Sequence, residues 1–257
     1  KFEHSLTFDS EFESGNLLRA VQCADASYDL ILRADMHTMG HTQWFYFAVS
    51  NTHPQSLVRL AEQGVQVPPV RVRFNIINFT KPDSLFNMGM RPVLYSTHDA
   101  SSRGTGWVRA GTDISYYCSQ YPRNNMQGEG QGYYYSLSFT MEFNNAGDNY
   151  FIAYCYPYTY SDYKSHISSV LAKPGAADKV RRNSLCTTLS GVSCDILTIT
   201  DFSDGDRIGP YEPSIIDNPP NMGEGKRASK NRQTLKTAIV FSCRVHPGET
   251  PASWMMK

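Results

Sequence analysis

The chain has 257 residues, 40% hydrophobic and 19% charged, which is enough apolar material for a sizeable core. Lys plus Arg and Asp plus Glu both number 24, and the formal net charge of zero withholds the basic footprint of a nucleic-acid binder. No apolar run approaches the ~18 residues of a membrane span, and no basic-then-apolar opening suggests a secretory leader.

The first ~155 residues read as short strands. In Tyr28–Asp35 the apolar side chains fall on Tyr28, Leu30, Leu32 and Ala34. Trp44–Val49 is apolar on both faces and reads as a central strand. Val70, Val72, Phe74 and Ile76 alternate with Arg71, Arg73 and Asn75, and a third alternation runs from Tyr133 to Phe143. Trp107–Arg109 and Tyr150–Tyr154 are further candidates. Side chains two apart share a strand face, so each such segment covers a core on one side and meets water on the other. Turn residues separate the segments, among them Asn51-Thr-His-Pro54 and Asn144-Asn-Ala-Gly147. With no intervening helices in this reading, the expected architecture is an antiparallel β-sandwich.

The pattern changes near Pro157. Ser161 suits a helix cap, and the spacing predicts a helix through Tyr163, Ile167, Val170 and Leu171, ending before Pro174-Gly175. Residues 176–183 read as a charged loop, with Arg181 and Arg182 solvated. Cys194–Thr200 and Thr237–Val245 are near-continuously apolar, which suits strands buried on both faces in a mixed α/β sheet. Between them, residues 203–232 read as a long polar surface loop. The domain expectation is a sandwich over 1–155 and the beginning of an α/β domain over 156–257. The six cysteines form no CxxC pair and read as free, buried thiols of a reducing compartment.

The last apolar strand leads into His246-Pro-Gly-Glu249. An imidazole and a carboxylate three residues apart are two candidate ligands of one Zn²⁺, and a catalytic zinc takes three protein ligands plus water. Pro247-Gly248 turns the chain so that both side chains can face one way. Thr250 suits a cap and Pro251 a first helical position for Ala252–Met256. A lone His-x-x-Glu is a weak motif, and its strand-turn-helix setting strengthens it. His37 and His41 are four apart, but Gly40 argues against a helix, so structural roles are expected there. The paired tyrosines, Tyr116-Tyr117 and Tyr133–Tyr135, read first as packing residues. Neither a Gly-x-Ser-x-Gly elbow nor a phosphate-cradling Gly-x-x-x-x-Gly-Lys run occurs.

Arg244-Val-His-Pro-Gly-Glu-Thr-Pro-Ala-Ser-Trp254 resembles the zinc signature of the cytosolic carboxypeptidases, a subfamily of zinc metallocarboxypeptidases. Phe12-Glu-Ser-Gly-Asn-Leu17 and Gly40-His-Thr-Gln-Trp-Phe-Tyr-Phe47 resemble their N-terminal β domain. Tyr156–Asp162 and Leu185–Leu189 through Leu197–Thr200 resemble the entry to their catalytic domain. The resemblance implies a cytoplasmic zinc enzyme that hydrolyses C-terminal peptide bonds, commonly removing glutamates from protein tails such as tubulin. It implies His246 and Glu249 as zinc ligands. The third ligand, general base and substrate-binding Arg of the family have no counterpart here, so this chain alone is expected to be inactive. The rival reading, from a different class, is a non-catalytic sandwich that binds a protein partner and keeps a vestigial zinc half-site.

Overall fold

The computed structural model describes residues 4–124, 131–202 and 238–257. Chain contacts divide it into two compact units, residues 1–159 with 243–257, and residues 160–242. The predicted loop over 203–232, and the basic Lys226, Arg227 and Lys230 within it, lie outside the described residues.

The first unit is a sandwich of two five-stranded sheets. One sheet holds β1 (Thr7–Asp9), β4 (Tyr46–Ser50), β10 (Tyr150–Ala153), β6 (Val93–Ser96) and β7 (Val108–Arg109) in that order. All its pairings are antiparallel. The other runs β2 (Arg19–Ala24), β3 (Ser27–Ile31), β5 (Val70–Phe79), β9 (Gln131–Phe143) and β8 (Thr112–Asn124). Here β3 and β5 are parallel, so this sheet is mixed rather than wholly antiparallel. A parallel neighbour needs a long crossover, and residues 32–69 supply it by way of β4 in the opposite sheet and α1 (Gln55–Glu62).

The predicted alternations set the core. Phe74, Ile76, Leu137, Phe139, Met141 and Phe143 on one sheet, and Phe47, Val49 and Ile152 on the other, are all fully buried. Ring contacts tie the layers together: Phe47 meets Phe74 at 6.2 Å between centroids, and Phe45 stacks on Phe139 at 6.3 Å. β4 is apolar on both faces for a visible reason. Its outward Tyr46 lies edge-on to Phe12 and Trp107, in an outer aromatic patch with Phe151 and Tyr95.

The Phe12–Leu17 motif is a tight bend. Ser14 adopts φ 63°, and a Cβ on Gly15 would sit 2.2 Å from the Ser10 carbonyl oxygen. Asn16 then donates to the carbonyls of Arg33 and Trp44 and accepts from the Arg33 amide. A short polar side chain thus joins three chain segments whose backbone groups have no ladder partner there.

Two helices interrupt the expected helix-free run. None of the residues of α1 is fully buried; Leu57, Val58 and Ala61 form a half-buried apolar face on a helix of only eight residues, which the strand reading passed over. α2 (Thr97–Arg103) is capped by the Ser96 hydroxyl, and the buried Asp148 accepts from Ser96 Oγ, Thr97 Oγ1 and the amides of His98 and Asn149.

The second unit carries α3 (Tyr160–Leu171) and an antiparallel hairpin of β11 (Val180–Thr187) and β12 (Ser193–Ile199). The charged loop expected at 176–183 instead becomes a short 3-10 turn and the start of β11, because its residues pair across to Leu197–Ile199. Arg182 is not simply solvated: its Nε and Nη2 both reach Asp195, at 2.9 and 2.8 Å, while the Arg181 guanidinium covers the Phe202 ring. The part of Thr237–Val245 that is described is not a strand. A ribbon apolar on both faces needs strands on both edges, no described strand pairs with it, and Ile239, Val240, Phe241 and Val245 are exposed. The cysteines form no disulfide, but only Cys155 is buried. The others lie at exposed positions, Cys186 and Cys194 on a hairpin open to solvent.

Candidate metal centre

Arg244 takes φ 57°, which turns the chain out of its extended path. Residues 245–248 complete a turn closed by the Glu249 amide donating to the His246 carbonyl at 3.0 Å. α4 (Thr250–Met256) follows, with Glu249 at the N-cap position rather than Thr250, and the Ala252 amide donates to the Glu249 carbonyl. The turn brings the two predicted ligands together: His246 Nδ1 and Glu249 Oε1 are 2.7 Å apart, and both side chains are largely exposed.

Residues beneath the turn were not singled out in the sequence as site residues. The Arg244 guanidinium donates from Nε to the Pro247 carbonyl at 3.0 Å, and from Nη1 to the Tyr158 carbonyl and Ser253 Oγ, each at 3.2 Å. Trp254 packs edge-on to Tyr158, with centroids 5.0 Å apart, and donates from Nε1 to the Tyr156 carbonyl. A methyl on Gly248 would sit 3.6 Å from Cγ of Gln43. Burial pushes the pKa of the Tyr154 phenol up, and the nearby Glu249 carboxylate adds to the rise. A cleft of about 160 Å³ under the turn is lined by Asp35, Gln43, Trp44, Tyr158, Arg244 and Thr250. The Gly40–Phe47 motif therefore lies against the turn that carries His246 and Glu249.

The donor chemistry suits zinc. A neutral imidazole nitrogen and a carboxylate oxygen at ordinary zinc bond lengths in tetrahedral geometry stand about 3.3 Å apart, so the observed pair needs to open by only about 0.6 Å. The two groups fit part of a catalytic set. Among the described residues no group of three or more His, Cys, Asp or Glu gathers to hold a metal. His37 and His41 lie in an exposed loop, with His37 at φ 59°.

Residues 8–92 match the cytosolic carboxypeptidase N-terminal domain. Over 99% of its length the chain is 40% identical to cytosolic carboxypeptidase 2 of Xenopus tropicalis and 38% identical to that of Homo sapiens, covering 22% and 23% of them. It is 38% identical to cytosolic carboxypeptidase 1 of Danio rerio over 98% of the chain and 19% of that protein. A metallo-carboxypeptidase structure from Burkholderia cenocepacia aligns with 78% of this chain and 41% of its own, at TM-score 0.48 and 17% identity. The class is thus a carboxypeptidase-associated β domain continuing into a His-x-x-Glu turn. Residues 8–92 thus match the cytosolic carboxypeptidase N-terminal domain, and nearly the whole chain is similar to cytosolic carboxypeptidases, as its motifs implied. It spans about a fifth of the length of these curated relatives.

Proposed function

We propose that this chain is the N-terminal sandwich (1–155) and the opening of the catalytic domain (156–257) of a zinc-dependent, cytoplasmic carboxypeptidase that hydrolyses C-terminal peptide bonds of protein tails. Acidic tails, tubulin's among them, are the substrate class the family resemblance favours. The observation that carries the reading is the 2.7 Å approach of His246 Nδ1 and Glu249 Oε1, in a chain that aligns along 99% of its length with cytosolic carboxypeptidases.

His246 and Glu249 would hold the ion, which when bound polarises the scissile carbonyl and acidifies a water. His246 serves as a ligand only when neutral at Nδ1, so its imidazole must shed any Nδ1 proton to the solvent. The hydrogen bond that Glu249 now accepts or shares with that nitrogen is given up at the same moment. The turn beneath fixes where both donors stand. Two donors are one short of the catalytic set, so the described residues by themselves should not support turnover.

Isothermal titration with Zn²⁺ tests this. The chain should bind one equivalent, and His246→Ala or Glu249→Gln should each weaken binding at least tenfold while tryptophan fluorescence of the sandwich stays native. Equal affinity in both variants would refute the ligand assignment.

A further inference from the structure

We propose that Arg244 is the positioning residue of the metal turn: its guanidinium sets the direction in which His246 and Glu249 point. The inference rests on the zinc reading above for its consequence, but its structural content does not.

His246 and Glu249 are too exposed to be aimed by packing, with side-chain exposures of 76% and 57%. Apart from the hydrogen bond between them, their aim therefore comes from the backbone that carries them. That backbone turns at Arg244, whose φ of 57° belongs to the left-handed region that a non-glycine residue seldom adopts without compensation. The compensation is visible. The guanidinium reaches three acceptors on three different segments: the Pro247 carbonyl inside the turn, Ser253 Oγ on α4, and the Tyr158 carbonyl at the end of the sandwich. Ser253 and Tyr158 are themselves buried, so two of the three acceptors are fixed points. A planar fork of five N–H donors can serve these acceptors together, whereas an ammonium on a flexible stem cannot hold the same fixed directions. Pro247 stands directly between the two ligands' backbones, so a bond to its carbonyl restrains both.

The clasp makes a distinction that ordinary structural roles do not. If only the backbone shape matters, Arg244→Gly should preserve the turn, because glycine takes positive φ without strain. If the fork matters, glycine and lysine should both fail. The experiment compares the wild-type chain with Arg244→Gly, Arg244→Lys and Ser253→Ala. Amide hydrogen exchange of Glu249 and Ala252 is read without metal, and the visible absorption of added Co²⁺ is read as a probe of coordination. We expect at least tenfold faster exchange at both amides, and at least tenfold weaker, less intense Co²⁺ spectra, in the Gly and Lys variants. Ser253→Ala should show a several-fold effect. Exchange in β5 and β9 should not change. Unaltered exchange in Arg244→Lys, or full retention by Arg244→Gly, overturns the proposal. A His246→Ala control separates the two claims. If it binds Co²⁺ like wild type, the zinc reading falls, and the amide exchange still decides whether Arg244 holds the turn.

Discussion

Replacing Asp148 by Asn changes one atom type in the sandwich and should be costly. The Asp148 carboxylate is buried and accepts four hydrogen bonds: Oδ1 from Thr97 Oγ1 and the amides of His98 and Asn149, Oδ2 from Ser96 Oγ. Asn can keep its oxygen at the three-donor side, which puts its NH₂ against Ser96. Ser96 Oγ already accepts from the Asp99 amide and from Asn145 Nδ2, so it has no lone pair for a third donor, and its own proton loses its acceptor. The loss of one charge-assisted bond, about 1.5–3 kcal/mol, adds to about 1–3 kcal/mol for newly unsatisfied buried groups. A total of about 3–5 kcal/mol is expected, or roughly 6–20 °C in Tm for a unit of this size. Urea unfolding followed by tryptophan fluorescence reads the sandwich alone, since Trp44, Trp107 and Trp254 all lie in that unit. A loss below about 1 kcal/mol for Asp148→Asn would mean that the donors find other acceptors, and the network argument would be wrong.

Two further outcomes follow from the geometry. Gly15→Ala should destabilise the sandwich by about 1–3 kcal/mol, because the new Cβ meets the Ser10 carbonyl at 2.2 Å and backbone must move. A neutral result in the same urea assay would show that the bend relaxes freely. In the hairpin unit, burial raises the Asp195 carboxyl, but hydrogen bonds from Ser193, Tyr163 and Arg182 outweigh this and hold it below the usual carboxylate range. A depressed carboxylate contributes stability above its unfolded pKa near ~4 and loses it as pH falls through the lower folded value. Exchange protection of β11 and β12 amides should therefore fall below about pH 4 in the wild type and show little of that dependence in Asp195→Asn. A variant with the wild-type pH profile would contradict the assignment.

What could be read from the residues was set by burial on a single face. The alternation in Val70–Ile76 and in Tyr133–Phe143 has one physical cause, a core on one side, and both segments lie in strands, with Val72, Phe74, Ile76, Leu137, Phe139, Met141 and Phe143 buried. Tyr116 and Tyr135, read first as packing residues, do stack on each other at 5.8 Å, while Tyr117, Tyr121 and Tyr133 remain largely exposed. The helix α1 carries a half-buried apolar face of Leu57, Val58 and Ala61, but eight residues span only about two turns, too short a period to stand out from the flanking turn residues. The parallel β3–β5 pair depends on a crossover through the other sheet, which no local pattern encodes. Apolar composition on Ile239–Val245 gave a strand expectation, but a strand exists only with a neighbour to pair with. At the site, the His-x-x-Glu spacing was legible because both groups come from one turn. The role of Arg244 was not, since its acceptor on Tyr158 lies 86 residues earlier.

The most direct test of the account is the ¹⁵N resonance of the His246 ring as Zn²⁺ is added to the labelled chain. If His246 and Glu249 share one ion, the Nδ1 signal moves to the position of a metal-bound imidazole nitrogen, Nε2 keeps its proton, and Glu249→Gln weakens the effect at least tenfold. A ring that titrates with zinc through Nε2, or one indifferent to the Glu249 substitution, would show that the two side chains do not serve a common metal.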